Sequence, residues 1–175
     1  MPYIPSVKIL IKSVVLTTLI MVSYFSGRGF SIILNMSDQY ISGMWCAVSA
    51  IVVFDDLREN VKLLLKNRLL GTFIGSMLAV VCIYLMSDLM LSVAVCIVLV
   101  SIIINLLKLD GTLKIACTTV LVISVSTHGS TFSAICLTAA MRFAESALGC
   151  LMSLTATVLM EHSRYFREST GDSNV

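Results

Sequence analysis

Residues 89–107 read LMLSVAVCIVLVSIIINLL. The run carries no charge and no apolar–polar alternation. It nearly matches the roughly 20 residues a helix needs to cross about 30 Å of hydrocarbon. A backbone in lipid must satisfy its own hydrogen bonds, and a continuous apolar run does so as a helix. Working outward, similar runs lie at 9–26, 40–54, 69–86, 113–127 and 143–160. The second and fifth, 40–54 and 113–127, are the shortest. The pattern predicts an all-α membrane protein of six transmembrane helices.

Composition agrees. The chain has 175 residues, 58% of them hydrophobic and 13% charged, and a mean hydropathy of +0.99. A soluble domain of this size has too much surface to cover with so few charges, so lipid is the expected solvent. Nucleic acid is not an expected partner, because the basic residues flank apolar runs and form no stripe with aromatics. The six cysteines form no C-x-x-C pair and sit mostly within apolar runs, which reads as small buried or lipid-facing side chains. His128 and His162 lie at opposite ends of spans, so no metal or cofactor is implied. Lys8 and Lys12 precede an apolar run too long for a signal peptide, and no A-x-A-like site follows, so a retained first span is expected.

With the N-terminus inside, ten of the twelve Lys and Arg residues fall on the cytoplasmic side: Lys8, Lys12, Arg58, Lys62, Lys66, Arg68, Lys108, Lys114, Arg164 and Arg167. Arg28 and Arg142 fall outside. This positive-inside bias predicts cytoplasmic N- and C-termini in a multi-pass cell-membrane protein, the inner membrane for a bacterium. Between the second and third spans, Leu57, Val61, Leu64 and Leu65 share one face while Arg58, Glu59, Lys62 and Lys66 take the other. An amphipathic helix at the cytoplasmic interface is expected there. Residues 1–161 form the expected six-span domain and 162–175 a polar, frayed cytoplasmic tail.

An internal repeat emerges when the chain is laid on itself with position 68 over position 142. Residues 68–75 read RLLGTFIG and 142–149 read RFAESALG, so Arg68, Thr72, Gly75 and Ala79 fall on Arg142, Ser146, Gly149 and Ser153. Each copy opens the last span of a three-span half, about 1–87 and 88–161. Three is odd, so the halves are expected to be inverted, a plan common among transporters. Arg68, Thr72, Gly75, Ala79 and Cys82 share a helical face, as do Arg142, Ser146, Gly149, Ser153 and Ala156. Two readings stand: packing seams through Gly71, Gly75 and Gly149, which let backbones approach, or the wall of a substrate path that also uses the arginines.

The stretch from Trp45 through NRLLGTFIG at 67–75 resembles the aromatic acid exporter and fusaric acid resistance proteins. Their pattern has an aromatic residue in the second span, a charged connector, then R-x-x-G-T-x-x-G. RFAESALG resembles their R-x-x-E-[TS]-x-x-G element at the sixth span. The resemblance covers nearly the whole chain and rests on these two short motifs. It implies a six-span unit exporting organic or aromatic carboxylates, and a related group of plant malate-permeable anion channels suggests a dimer around a basic pore. Arg68, Gly71, Thr72 and Gly75 carry over from the first motif, and Arg142, Glu145, Ser146 and Gly149 from the second. Where relatives often place proline after the second span, this chain has Asp55 and Asp56.

Three functions are expected in order. The first is export of a small organic anion by a homo-oligomer, with Arg68, Thr72, Arg142, Glu145, Ser146 and Trp45 as binding residues. Arginine pairs bidentately with carboxylate, and Trp45 offers a ring to stack on or, equally, an interface anchor. Arg142 can equally be an interfacial charge partnered by Glu145 three residues on. The second is a passive anion channel, and the third a non-transporting membrane subunit. An enzyme is not expected, since no nucleophile with a base, carboxylate dyad or metal cluster is visible.

Overall fold

The computed structural model describes residues 7–34, 39–54, 58–86, 88–109, 111–127 and 129–171, with side chains for 13–54 and for 60–161 within those ranges. Asp55, Asp56, His128 and the tail beyond residue 171 lie outside the described residues, as do the side chains of Lys8, Lys12, Arg58, Arg164 and Arg167. The described residues form six helices and no strand: α1 (Val7–Ile33), α2 (Gln39–Val53), α3 (Arg58–Leu85), α4 (Leu89–Leu106), α5 (Leu113–Ser126) and α6 (Phe132–Gly171).

Four helices, α1, α3, α4 and α6, are long and apolar enough to cross a membrane. α2 and α5, with 15 and 14 residues, are not. At 1.5 Å per residue they reach only about 22 Å, short of a hydrocarbon layer of about 30 Å. The amphipathic segment before the third span is no separate interfacial helix. Residues 58–70 hold no glycine or proline, so nothing stops the helix, and they form the first turns of α3. Val61 is buried there while Lys62 and Lys66 are exposed. The same continuity carries α6 from Phe132 through the expected connector and past residue 161 to Gly171.

Where helices do stop, the chemistry is local. Asp88 caps α4, its Oδ1 accepting from the Leu91 N–H at 2.8 Å. α4 ends in a Schellman turn: the Leu109 N–H bonds the Ile104 carbonyl and the Lys108 N–H that of Asn105, both at 3.2 Å. The turn needs a left-handed residue, and Lys108 supplies it at φ 51°. Gly111 and Gly129, at φ 83° and 75°, turn the chain on either side of α5.

Helix starts repeat. Gln39 and Leu113 open α2 and α5, and Arg58 and Phe132 open α3 and α6. Each pair is separated by the same offset that lays Arg68 on Arg142.

The chain divides into two compact units. Unit 1, residues 1–64 and 148–175, holds α1, α2, the first turns of α3 and the later part of α6. Here α1 crosses α2 with little between the backbones: a Cβ on Gly27 would lie 2.8 Å from the Ser42 carbonyl, and one on Gly43 2.8 Å from that of Tyr24. Unit 2, residues 65–147, holds the rest of α3, α4, α5 and the first half of α6. Its core is Ala79 and Cys82 of α3, Cys96, Val100 and Ile104 of α4, Ala116, Val120 and Ile123 of α5, and Ala139 of α6.

The distribution of side chains is that of a protein in lipid. Many buried positions are small or hydroxylated, such as Ser23, Ser42, Ser49, Ser92, Ser153 and Thr157. Exposed positions are large and apolar, among them Met90, Leu106, Leu85 and Val125. In water that arrangement would be upside down; in a bilayer small residues pack helices and large ones meet acyl chains. Several hydroxyls are satisfied within their own helices, as when Thr118 and Thr155 donate to carbonyls four residues back at 2.8 Å, whereas the buried Ser23, Ser92 and Ser153 hydroxyls have no hydrogen-bond partner among the described residues.

Candidate functional site

Five of the six candidate binding residues belong to unit 2: Arg68 and Thr72 on α3, and Arg142, Glu145 and Ser146 on α6. Trp45, on α2, belongs to unit 1. The arginines do not open their helices. Each stands ten residues past a helix start, about 15 Å along the axis, because the preceding connectors are helical.

Two ring contacts set α3 against α6. Phe73 meets Phe143 with centroids 5.9 Å apart at 69°, and Tyr84 meets Phe132 at 4.9 Å and 62°. Eleven residues forward on α3 correspond to eleven back on α6, so within unit 2 the helices run antiparallel. In that register Gly71 lies level with Glu145 and Ile74 with Arg142. Arg68 lies about 4.5 Å further along the axis than the level of Glu145.

Burial is nearly complete. Glu145 is 0% exposed, Thr72 1%, Ser146 4% and Arg68 6%. Arg142 Nη1 lies 2.9 Å from Glu145 Oε2, the side chains being 12% and 0% exposed. Glu145 Oε1 is buried and accepts no hydrogen bond among the described residues. A buried ion pair costs solvation that only close geometry returns. The Thr72 hydroxyl donates to the Arg68 carbonyl at 2.8 Å and Ser76 to the Thr72 carbonyl at 2.6 Å. Thr72 therefore offers a ligand lone pairs, not its proton, unless its rotamer changes.

The motif glycines hold neighbouring helices close. A Cβ on Gly71 would lie 3.0 Å from the Ile115 side chain and the Thr112 carbonyl of the α5 start. One on Gly75 would lie 2.6 Å from the Ala116 carbonyl and 3.1 Å from the Thr119 Cβ. In unit 1, one on Gly149 would collide with the Cys46 carbonyl of α2 and lie 2.7 Å from the Ser49 Cβ. The two contacts share a form: α3 on α5 and α6 on α2, each against a carbonyl and the Cβ three residues later.

Sequence reasoning passed over Phe73 and Phe143 although both stand within the quoted motifs. Their separation is shorter than the repeat offset, so aligning the repeats never pairs them. Arg28, read as an outer charge, lies 4.7 Å over the Tyr40 ring.

The profile of the family described as fusaric acid resistance protein-like matches residues 22–156. No curated protein and no solved structure matches the chain. The match takes in both motifs and all or part of all six helices, and the chain is a multi-pass membrane protein belonging to this transport-related, fusaric acid resistance protein-like family.

Proposed function

We propose that the protein exports small organic anions, aromatic carboxylates above all, across the cell membrane as a homo-oligomer with both termini cytoplasmic. One observation carries the reading: Arg68 is buried and the half-buried Arg142 pairs with the fully buried Glu145 in the same unit, beside the Phe73–Phe143 contact. A cation deep in an apolar helix is costly and is kept where it handles charge. Arginine suits a carboxylate through its planar fork, and ring edges suit an aromatic body.

The inverted repeat belongs to the same proposal. Support comes from the shared spacing of helix starts, the antiparallel α3 and α6, and the like contacts of Gly75 and Gly149. In that plan α2 and α5 are the short members of each half, placed where transporters bind substrate. All six helices then cross, α2 and α5 within a locally thinned or protein-lined layer.

The 2.9 Å pair favours a second reading, in which Arg142 is structural and the chain a non-transporting subunit. Purified protein in liposomes loaded with benzoate or malate near neutral pH separates the two. Benzoate efflux faster than from protein-free liposomes is expected, and its absence for both anions overturns the proposal. An anion current that flows without any proton gradient assigns the passive-channel mode.

A further inference from the structure

Thr112 stands at the start of α5 and is 0% exposed, yet its hydroxyl has no hydrogen-bond partner among the described residues. It makes no side-chain cap bond to its own helix. A buried hydroxyl without a partner is costly, and this one is kept where backbone donors gather. The Ala116 N–H reaches the Thr112 carbonyl at 3.1 Å. The N–H groups of Leu113, Lys114 and Ile115 precede that bond and have no partner within the helix. They form the positive end of the α5 dipole.

The neighbouring helix closes one side. Asn67 and Gly71 of α3 are four residues apart, so they share a face, and both meet this turn. Asn67 Nδ2 lies 3.2 Å from where a Cβ on Gly111 would be, and the Thr112 carbonyl 3.0 Å from that position on Gly71. Arg68, the residue after Asn67, is 6% exposed. Charge here is uneven. Among the described residues of unit 2, Glu145 is the buried carboxylate and already pairs with Arg142, so Arg68 adds a further buried cation. Lys108 and Lys114, both exposed, flank the same turn, while Asp88 sits at the other end of α4. Asp110 lies outside the described residues. Under the repeat offset Thr112 falls on Asp38, so the first half has a carboxylate where the second has a hydroxyl.

We propose that the start of α5 is an oxyanion subsite for the carboxylate of the transported anion, held by the Thr112 hydroxyl, the first N–H groups of α5 and the Asn67 amide. Arg68 supplies the neutralising charge. The inference rests on the transport reading and adds a docking point to it. A carboxylate fits because it only accepts, with about four lone-pair sites to offer these donors. A lipid phosphate carries the same chemistry, and the test separates the two.

The test uses the full chain in detergent near neutral pH, with benzoate as the probe and thermal melting alongside. Thr112→Val keeps the β-branched shape and removes the hydroxyl. Its affinity for benzoate is expected to fall about tenfold, the effect of one hydrogen bond to a charged group. Without benzoate it should melt no lower than wild type, because the lost hydroxyl has no partner in the protein. Thr112→Ser retains the hydroxyl and should bind close to wild type. Equal benzoate binding by wild type and Thr112→Val overturns the inference while leaving the transport reading intact. So does a lower melting temperature for Thr112→Val without benzoate, which would make the hydroxyl structural. Phosphatidylglycerol is titrated in parallel. If Thr112→Val weakens binding of that lipid and spares benzoate, the subsite holds a headgroup and the inference falls. It falls too if Thr112→Val matters for benzoate only when combined with Asp110→Asn, since the chain's own carboxylate then fills the place. If benzoate does not bind wild type at all, the transport reading itself fails and takes the subsite with it.

Discussion

Phe73 of α3 and Phe143 of α6 meet edge to face at 5.9 Å, and each is the chain neighbour of a motif residue, Thr72 and Arg142. The contact joins the two repeated motifs inside one unit and, with Tyr84 and Phe132, sets their helices antiparallel. An edge-to-face pair contributes about 0.5–1.5 kcal/mol beyond burial. Its larger effect here is register: with the Tyr84–Phe132 contact it puts Glu145 level with Gly71 along the helix axes.

The glycines should sort by what a side chain would meet. Gly75→Leu and Gly149→Leu would drive apart backbones already in contact, at about 3 kcal/mol or more each. Loss of monodisperse protein in detergent is the expected outcome. Gly29 has nothing within 4 Å of its Cβ position, so Gly29→Ala should raise thermal stability slightly, by about 0.5–1 kcal/mol. Equal behaviour of all three variants would mean that these close approaches do not exist in the folded protein.

Lys108 holds a left-handed backbone at φ 51° without being glycine. An L-residue there costs about 1 kcal/mol relative to glycine. Lys108→Gly should therefore raise the melting temperature in detergent, and Lys108→Val should lower it. A drop with glycine would show that the side chain contributes more than the turn does.

Much of this was legible in the sequence, and the failures share a cause. The apolar runs located every helix, and the repeat of Arg68 on Arg142 anticipated helix starts that recur with the same offset. What charge patterning could not show was that 58–67 and 132–141 join their spans. An amphipathic stretch looks the same whether it lies on a membrane or continues into it, and only the lack of a breaker distinguishes them. The same blindness hid that Arg68 and Arg142 stand ten residues inside their helices. The Phe73–Phe143 contact was hidden because it crosses the repeat instead of obeying it.

Cytoplasmic termini remain an expectation of the ten-to-two cation bias, with a direct readout. In a cysteine-free background, Ser173→Cys should react with a membrane-impermeant maleimide only after the cytoplasmic face is opened. Labelling of intact cells would invert the topology.

The arginines separate most sharply when varied with Glu145. Arg142→Gln leaves a fully buried carboxylate without its ion partner, which costs about 3 kcal/mol. Arg142→Gln/Glu145→Gln removes both charges and should recover most of that stability, yet carry no carboxylate, since the cation that receives it is gone. Arg68→Gln leaves the Arg142–Glu145 pair in place and should reduce benzoate flux in folded protein. Arg68→Lys should restore only part of it, because an ammonium cannot reproduce the bidentate fork. Flux per folded molecule in liposomes, with thermal melting in detergent alongside, reads both effects. Normal flux in the double variant would make Arg142 and Glu145 a structural pair, leaving Arg68 as the candidate anion site.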